Sequence, residues 1–131
     1  MMRIYQGVDI VDIARLKAIC LRHERFVDEV FTERERTYCL SRRNPYVHFG
    51  GRFAAKEACL KAMGRGLATL GSDHVLQEIE VVAGDSGRPQ LFLRGWAEKL
   101  LRKRGIQQLS VSISHTRDLA VATVILVGSE H

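Results

Sequence analysis

The stretch RFAAKEACLKAMG, residues 52–64, predicts a helix that packs in the core, because it is rich in Ala, Leu and Met. Three charged residues, Lys56, Glu57 and Lys61, interrupt this apolar pattern. Glu57 and Lys61 are four residues apart, so they project from one face of the helix. They either form an exposed ion pair or point together at a charged ligand.

The predicted helix extends from about Val47 to Met63. The pair Gly50-Gly51 lies inside it and either weakens it locally or marks a close approach of another element. Gly64 is placed to be the C′ residue that ends it.

The residues upstream predict one strand and two further helices. Residues 3–11, RIYQGVDIV, mix β-branched and aromatic residues and predict a strand. Asp12 can then cap a helix over residues 13–24. Thr32 and Glu35 form a capping-box pattern for a short helix, which the turn-forming segment SRRNPY ends.

The residues downstream predict four strands and one helix. LQEIEVVAG and RPQLFLRG are strand-like runs joined by the turn GDSG, and WAEKLLRKRG is a basic amphipathic helix. QLSVSISHTRDLAVATVILV predicts two strands around the turn HTRD, whereas residues 64–74, GRGLATLGSDH, are irregular. The predicted fold class is therefore α+β, with helices packed on a largely antiparallel sheet in a single domain over residues 1–131.

Composition indicates a soluble globular protein. The chain has 131 residues, of which 46% are hydrophobic and 27% charged. Its apolar runs are shorter than a membrane span, and its N-terminus lacks the pattern of a signal peptide. We therefore expect a cytoplasmic protein without a membrane partner.

The charge balance favours a polyanionic partner. The net charge is +5 and the sequence pI is about 9.4, which suits nucleic acid, a phosphate-rich cofactor or an acidic protein. The three cysteines, Cys20, Cys39 and Cys59, have neither zinc-site nor disulfide-framework spacing. We expect them to be buried free thiols.

Asp9 and Glu57 are the residues whose positions suggest a metal site. Asp9 lies within an apolar strand, where Asp is rare, and Asp12 already provides the helix cap. Solvent-exposed placement would account for either carboxylate alone. Together, two carboxylates from separate elements predict a Mg²⁺ site completed by water and phosphate oxygens. Lys61 would then offset the remaining phosphate charge.

His115 lies at the end of a predicted strand, beside a turn and after Ser112 and Ser114. It is either a turn histidine bonded to the backbone or a group that binds phosphate or moves a proton. The other histidines have no comparable context, and we expect them at the surface: His23, His48, His74 and His131.

Four segments together resemble the holo-(acyl-carrier-protein) synthases, which are the small 4′-phosphopantetheinyl transferases. They are GVDIVDIARL, RFAAKEACLKAMG, GRPQLFLRG and VSISHTRDLAVATVI, in this order along nearly the whole chain. The combination of Gly7-x-Asp9 with Lys56-Glu57-x-x-x-Lys61 is the specific part of this resemblance. RRNPYVHFGGRF, residues 42–53, departs from the longer aliphatic run expected before the Lys-Glu motif, which leaves the role of this segment open.

The resemblance implies a reaction and a catalytic set. Phosphopantetheine moves from coenzyme A, the co-substrate, to a serine of an apo acyl carrier protein, and adenosine 3′,5′-bisphosphate is released. Asp9 and Glu57 would bind Mg²⁺ with the coenzyme A pyrophosphate, and Lys61 would contact that pyrophosphate. Either Glu57 or a metal-bound water would accept the serine proton.

The resemblance also implies nucleotide contacts and an assembly. Ser114 and His115 would face the adenosine 3′-phosphate, Gly87 and Pro89 would lie near the adenine, and Arg52 is a further phosphate contact. The small members of this family form homotrimers with active sites between subunits. Asp9, Glu57 and Lys61 would come from one chain, and His115 and Pro89 from its neighbour.

The carrier protein would dock on the basic first helix. Carrier proteins of this class are acidic around the modified serine, so Arg15, Arg22 and Arg25 are the predicted contacts, although a solvated positive face would look the same. The family resemblance does not specify a fatty-acid or a polyketide carrier.

Two rival hypotheses follow from the same sequence. A basic nucleic-acid-binding domain would use the arginines but has no need of Asp9 or Glu57, and the chain lacks an aromatic cluster for base stacking. We therefore expect no nucleic-acid partner. A coenzyme A-binding protein without catalysis is the second rival, although every motif residue is present.

Overall fold

Two antiparallel sheets and five α-helices form the part of the chain that the structure, a computed structural model, describes: residues 1–64 and 75–129. A three-stranded sheet has the order β1-β5-β4, and a two-stranded sheet pairs β2 with β3. The strands are β1 (Met2–Asp12), β2 (Ile79–Ala83), β3 (Pro89–Leu93), β4 (Ile106–His115) and β5 (Leu119–Ser129). The helices are α1 (Ile13–Arg22), α2 (Phe26–Val30), α3 (Glu33–Leu40), α4 (Pro45–Ala62) and α5 (Gly95–Lys103).

Helix α4 packs across β1 and β5 and forms the centre of the core. It presents small side chains to the sheet, and Ala54, Ala55 and Ala58 are each 0% exposed. On β1, Gly7 lies so close that a Cβ there would be 1.9 Å from the carbonyl oxygen of Ala58. Small residues on both elements therefore allow helix and strand backbones to meet.

Side chains on β1 alternate between the core and the opposite face of the sheet. Gly7, Asp9 and Val11 face α4, whereas Val8 and Ile10 point away and are 51% and 64% exposed. The pairing of β1 with β5 runs without interruption from Met2 with Ser129 to Asp12 with Leu119. This continuous register fixes which β1 residues face the helix.

A buried ion pair connects α3 and α4 to the second sheet. Lys56 Nζ lies 2.7 Å from Glu35 Oε1, with both side chains 0% exposed. The same ammonium donates to the carbonyl oxygens of Leu76 and Ile79, and Glu35 accepts from the backbone N–H of Val81. Each charge is thus compensated, whereas removing one partner of such a pair costs about 3–5 kcal/mol.

The helix caps confirm several predictions. Asp12 accepts a hydrogen bond from the backbone N–H of Arg15, and Thr32 and Glu35 form a complete capping box. Gly64 follows the end of α4 with φ of +75°. The pair Gly50-Gly51 marks a close approach, because a Cβ on Gly51 would lie 2.8 Å from Cγ2 of Ile113.

Other boundaries differ from the prediction. Helix α4 begins at Pro45, not near Val47, because proline at the first helical position needs no hydrogen-bond acceptor for an N–H. Helix α2, with only five residues, was not predicted. Residues 75–78 form a 3₁₀ helix that ends where β2 begins, so the predicted strand over LQEIEVVAG starts too early. Most of the segment predicted as irregular, residues 65–74, lies outside the described residues.

The contact between β1 and α4 gives a paired prediction. Gly7→Ala forces the added methyl group into the α4 backbone and should lower the free energy of unfolding by about 3 kcal/mol or more. Gly50→Ala adds a methyl group at an ordinary distance of 3.4 Å from Ile13 and should leave stability unchanged or raise it by up to about 1 kcal/mol. Urea denaturation of both variants checks this, and equal effects would contradict the packing described.

Candidate functional site

Asp9, Glu57 and Lys61 meet where β1 crosses α4. Gly7 packs against Ala58 and Ala62, and Glu57 and Lys61 each precede one of these alanines by one residue. Asp9 lies two residues beyond Gly7 on the same face of the strand. The packing thus brings the three predicted residues together from segments about fifty residues apart.

Lys61 forms an ion pair with Asp9, not with Glu57. Its Nζ lies 2.9 Å from Asp9 Oδ1 and also donates to the carbonyl oxygen of Val8, at 3.2 Å. The lysine side chain is 52% exposed and that of Asp9 is 16% exposed. A cation can therefore approach Asp9 from solvent, as the lysine ammonium does in this structure.

The electrostatics of Glu57 differ from those of an exposed carboxylate. Burial raises the pKa of Glu57, the negative charge of Asp9 raises it further, and Lys61 lowers it. The pKa shift shows that the two carboxylates interact. Two ionised carboxylates in one partly buried site favour a bound cation.

A cavity of about 660 Å³ opens beside these residues. Its charged wall carries Asp9, Glu57 and Lys61. Its remaining wall is mostly apolar and is lined by residues of β1, α1 and α4, among them Val11, Leu16, Ile19 and Phe53. The cavity therefore combines a polar centre with an apolar surface that can accept an aliphatic chain.

The residues present fit a hard cation such as Mg²⁺. Asp9 and Glu57 supply carboxylate oxygens. The Lys61 ammonium, which pairs with Asp9, shows that a positive charge is accommodated there. Within residues 1–64 and 75–129, no cluster of three or more His, Cys, Asp and Glu side chains is arranged to hold a metal. An ion held by this pair would thus take its other ligands from water or a phosphate-bearing molecule, as Mg²⁺ commonly does.

His115 lines a second cavity, of about 620 Å³. His48 lies in the same wall, and its ring centroid is 6.1 Å from that of His115. His48 is half-buried, because its ring packs against Tyr38 of α3, and it has a structural context that its position in the sequence did not reveal. Exposed His23 agrees with the prediction, whereas His74 and His131 lie outside the described residues.

Arg52 does not line this second cavity, although its charge acts on His48, which does. It is only 7% exposed, and its guanidinium lies over the Tyr38 ring at 4.0 Å. Among the described residues, its Nε is the buried side-chain polar atom without a hydrogen-bond partner. Arg52 therefore adds positive charge near His48, and its predicted phosphate contact stays a prediction.

Ser114, Gly87 and Pro89 occupy separate positions. Ser114 precedes His115 on β4 and so points to the opposite face of the sheet. Gly87, with φ of +82°, lies in the exposed turn between β2 and β3. Pro89 lines a third cavity between β3 and β4. Within one chain, these residues do not join Asp9, Glu57 and Lys61.

The arginines predicted to dock a carrier are all exposed. Arg15 borders the first cavity, next to the Asp9 site. Arg22 ends α1, whereas Arg25 lies beyond that helix and is the N-cap residue of α2. The prediction that all three lie on one continuous helix is therefore wrong for Arg25.

The outer face of the three-stranded sheet exposes apolar side chains. Ile4, Val8 and Ile10 on β1 and Leu119 and Ile125 on β5 are between 37% and 64% exposed. An apolar sheet face of this kind is typical of a surface that another protein covers. No helix in the described part of the chain has the length and apolar character needed to cross a membrane.

The cysteines play no part in either cavity wall. Cys39 and Cys59 are buried as predicted, and burial raises the pKa of each thiol to about 12. Cys20 is only half-buried. All three are free thiols, as the sequence predicted.

The sequence did not predict that Arg42, Arg43 and His48 line a cavity with His115, or that Tyr38 packs against His48. The available signal was the unusual segment RRNPYVHFGGRF, whose departure from an aliphatic run coincides with one wall of the second cavity. Tyr38 gave no sequence signal, because its contacts with Arg42 and Arg52 depend on how α3 meets α4.

Comparisons with known proteins show the family of this chain. Residues 6–124 match the family model described as the 4′-phosphopantetheinyl transferase superfamily. The holo-[acyl-carrier-protein] synthase of Syntrophus aciditrophicus is 45% identical over 123 residues, covering 93% of this chain and 94% of the relative. That of Caldanaerobacter subterraneus subsp. tengcongensis is 35% identical over 130 residues, covering 99% of each.

Solved structures show the same fold. The ACPS–CoA complex of Chronobacterium ammoniagenes is 34% identical and superposes with a TM-score of 0.82, over 98% of this chain and 99% of that one. The holo-(acyl-carrier-protein) synthase of Bacillus anthracis in complex with CoA (3′,5′-ADP) is 30% identical, with a TM-score of 0.77 and coverage of 98% and 100%.

The raised pKa of Glu57 gives a prediction about stability. A carboxyl group whose pKa is raised by folding destabilises the protein when ionised, and this cost disappears as the pH falls through the raised pKa. Glu57→Gln should therefore raise the Tm of the metal-free protein at neutral pH, because the uncharged amide carries neither the desolvation cost of the carboxylate nor its repulsion by Asp9. The gain should shrink in acid, and the exposed control Glu24→Gln should show no gain. A lower Tm for Glu57→Gln at neutral pH would contradict this account.

Proposed function

The chain belongs to the holo-(acyl-carrier-protein) synthases of the 4′-phosphopantetheinyl transferase superfamily, and we propose that Asp9, Glu57 and Lys61 form its catalytic centre. It transfers the 4′-phosphopantetheine group from coenzyme A to a serine of an apo acyl carrier protein and releases adenosine 3′,5′-bisphosphate. The convergence of the three side chains at one cavity is the observation that supports their assignment.

Asp9 and Glu57 would hold a Mg²⁺ ion together with the coenzyme A pyrophosphate. When bound, this ion supplies charge neutralisation at the phosphate oxygens. Lys61 exchanges its ion pair with Asp9 for a contact with the pyrophosphate, where its ammonium stabilises the negative charge of the leaving bisphosphate. The exposure of Lys61 supports this role, because the side chain can move without unpacking α4.

Glu57 is our preferred acceptor of the carrier serine's proton. Its pKa is raised by burial and by Asp9, which brings the carboxylate closer to the pKa that general-base catalysis favours near neutral pH. The apolar wall of the same cavity limits water access to the reacting phosphorus.

The nucleotide end of coenzyme A would contact a second group of residues. The cavity that His115 lines is basic and suits the adenosine 3′-phosphate. Gly87 and Pro89 lie on the turn and strand that we assign to the adenine. Ser114 projects from the other face of β4, so its contact requires a ligand or a neighbouring chain on that face.

We propose a homotrimer with active sites between subunits. The exposed apolar face of β1 and β5 supports association, because a monomer would leave these side chains in water. The separation of the three cavities within one chain is also consistent with half-sites that a neighbour completes. Asp9, Glu57 and Lys61 of one subunit would then face His115 and Pro89 of the next.

The acidic apo carrier protein would dock beside the catalytic centre. Arg15 borders the cavity that contains Asp9, and Arg22 lies two helical turns farther along α1. Arg25, at the start of α2, extends the same positive surface. This surface would orient the carrier so that its serine reaches the cavity.

The catalytic assignment is tested by intact mass spectrometry of an apo acyl carrier protein incubated with coenzyme A, Mg²⁺ and this protein. The wild-type protein should add one phosphopantetheine group to the carrier. Asp9→Ala and Glu57→Ala should each lower the rate at least about 100-fold, as losses of transition-state charge stabilisation do. EDTA should stop the reaction. Full activity of either variant would overturn the assignment of that carboxylate.

The docking surface is tested separately by steady-state kinetics. Arg15→Glu and Arg22→Glu should each raise the KM for the carrier protein by about tenfold or more, because a like charge replaces an attractive one. The KM for coenzyme A should stay unchanged. An exposed arginine on α5 gives the matched control, since Arg102→Glu leaves α1 intact. Equal damage to both KM values would contradict the docking surface.

A further inference from the structure

The cavity lined by His48 and His115 is surrounded by positive charge. Its walls come from the turn after α3, the first turn of α4 and the β4–β5 turn: Arg42, Arg43, Asn44, Val47, His48, His115, Thr116 and Arg117. No carboxylate is among them. Within the described part of the chain, Arg42, Arg43 and Arg117 also form no ion pair. Uncompensated cations around a concave surface favour an anion of high charge.

His48 is held at the inner side of this cavity by aromatic contacts. Its ring meets the Tyr38 ring edge to face, with centroids 5.8 Å apart, and the His115 ring at 6.1 Å. Tyr38 also contacts the guanidinium groups of Arg42 and Arg52, at 4.4 and 4.0 Å. Tyr38 therefore positions a histidine and two arginines around one side of the cavity.

The groups that face His48 from each neighbouring element are uncharged or cationic. Tyr38 faces it from α3, Arg42 from the following turn, Arg52 from α4 itself and His115 from β4. Burial and these positive charges lower the pKa of His48. These surroundings favour the uncharged imidazole of His48 while the cavity contains no anion.

We propose that His48 binds the 3′-phosphate of coenzyme A beside His115 and takes up a proton as the phosphate enters. This inference rests on the proposed function, in which the cavity receives that phosphate. It assigns to His48 the recognition of the phosphate group that separates coenzyme A from its 3′-dephospho form.

The coupling follows from electrostatics. A phosphate dianion beside the imidazole offsets the arginine charges and stabilises imidazolium, so the pKa of His48 rises on binding. Between the lower pKa of the free protein and the higher pKa of the complex, binding takes up a proton. The affinity for the 3′-phosphate therefore increases as the pH falls through this interval. A ligand without the 3′-phosphate induces no such change.

The test is calorimetric titration of the intact protein with adenosine 3′,5′-bisphosphate at a pH near the ordinary pKa of histidine. Titrations in two buffers of different ionisation enthalpy give the number of protons taken up. Wild type should take up more protons than His48→Gln, and the variant should bind about tenfold more weakly, the loss expected for one charge-assisted hydrogen bond. His48→Phe, which keeps a ring against Tyr38, should behave as His48→Gln does.

Two controls show whether the effect is specific to His48 and to the 3′-phosphate. His23→Gln removes an exposed histidine and should match wild type. Adenosine 5′-monophosphate lacks the 3′-phosphate, so its proton uptake should be the same in wild type and both His48 variants. The second ionisation of the ligand's phosphate, at a pKa of about 6, affects all proteins alike and cancels in the comparison.

The outcomes distinguish this inference from the proposed function. Equal proton uptake by wild type and both His48 variants would overturn the inference, even if the carrier protein still gains phosphopantetheine. Failure of wild type both to bind the bisphosphate and to modify a carrier would instead overturn the proposed function. If both His48 variants take up fewer protons than wild type and still modify the carrier at saturating coenzyme A, the inference and the proposed function are both supported.

Discussion

The contact between Gly7 and the backbone of α4 is the constraint on which the rest of the site depends. Because Gly7 has no side chain, β1 lies against Ala58 and Ala62. Residues four apart share one face of a helix, and residues two apart share one face of a strand, so Glu57 and Lys61 lie beside Asp9. The arrangement of these three charged side chains is thus a consequence of how closely the two backbones approach.

Neighbouring residues of one motif have different structural surroundings. Lys56 and Glu57 are adjacent in sequence, yet the helix directs them to different surroundings. Lys56 is fully buried against Glu35 and two carbonyl oxygens, where it connects α4 to the second sheet. Glu57 lies in an open cavity with a raised pKa. The unusual charges in this apolar helix therefore have two separate explanations, one in each environment.

The sequence predicted the features that are local or that carry a chemical anomaly. Each of these features can be recognised from one short segment alone: the strand alternation, the caps at Asp12 and Thr32, and the carboxylate within an apolar strand. The basic cavity is different, because its walls come from a turn, a helix start and a strand end, and only packing brings His48 to His115. Pro45 likewise looked like a helix breaker, although at the first helical position it starts α4.

Because side chains alternate along β1, the same strand contributes to the cavity with one face and to the exposed apolar surface with the other. Asp9 faces the cavity, whereas Val8 and Ile10, on either side of it, form part of the exposed apolar face. A slip of β1 by one residue against β5 would reverse the two faces, turning Val8 or Ile10 toward the cavity and Asp9 into the apolar surface. The register of β1 therefore couples the composition of the cavity wall to that of the exposed face, because a change of register exchanges both at once.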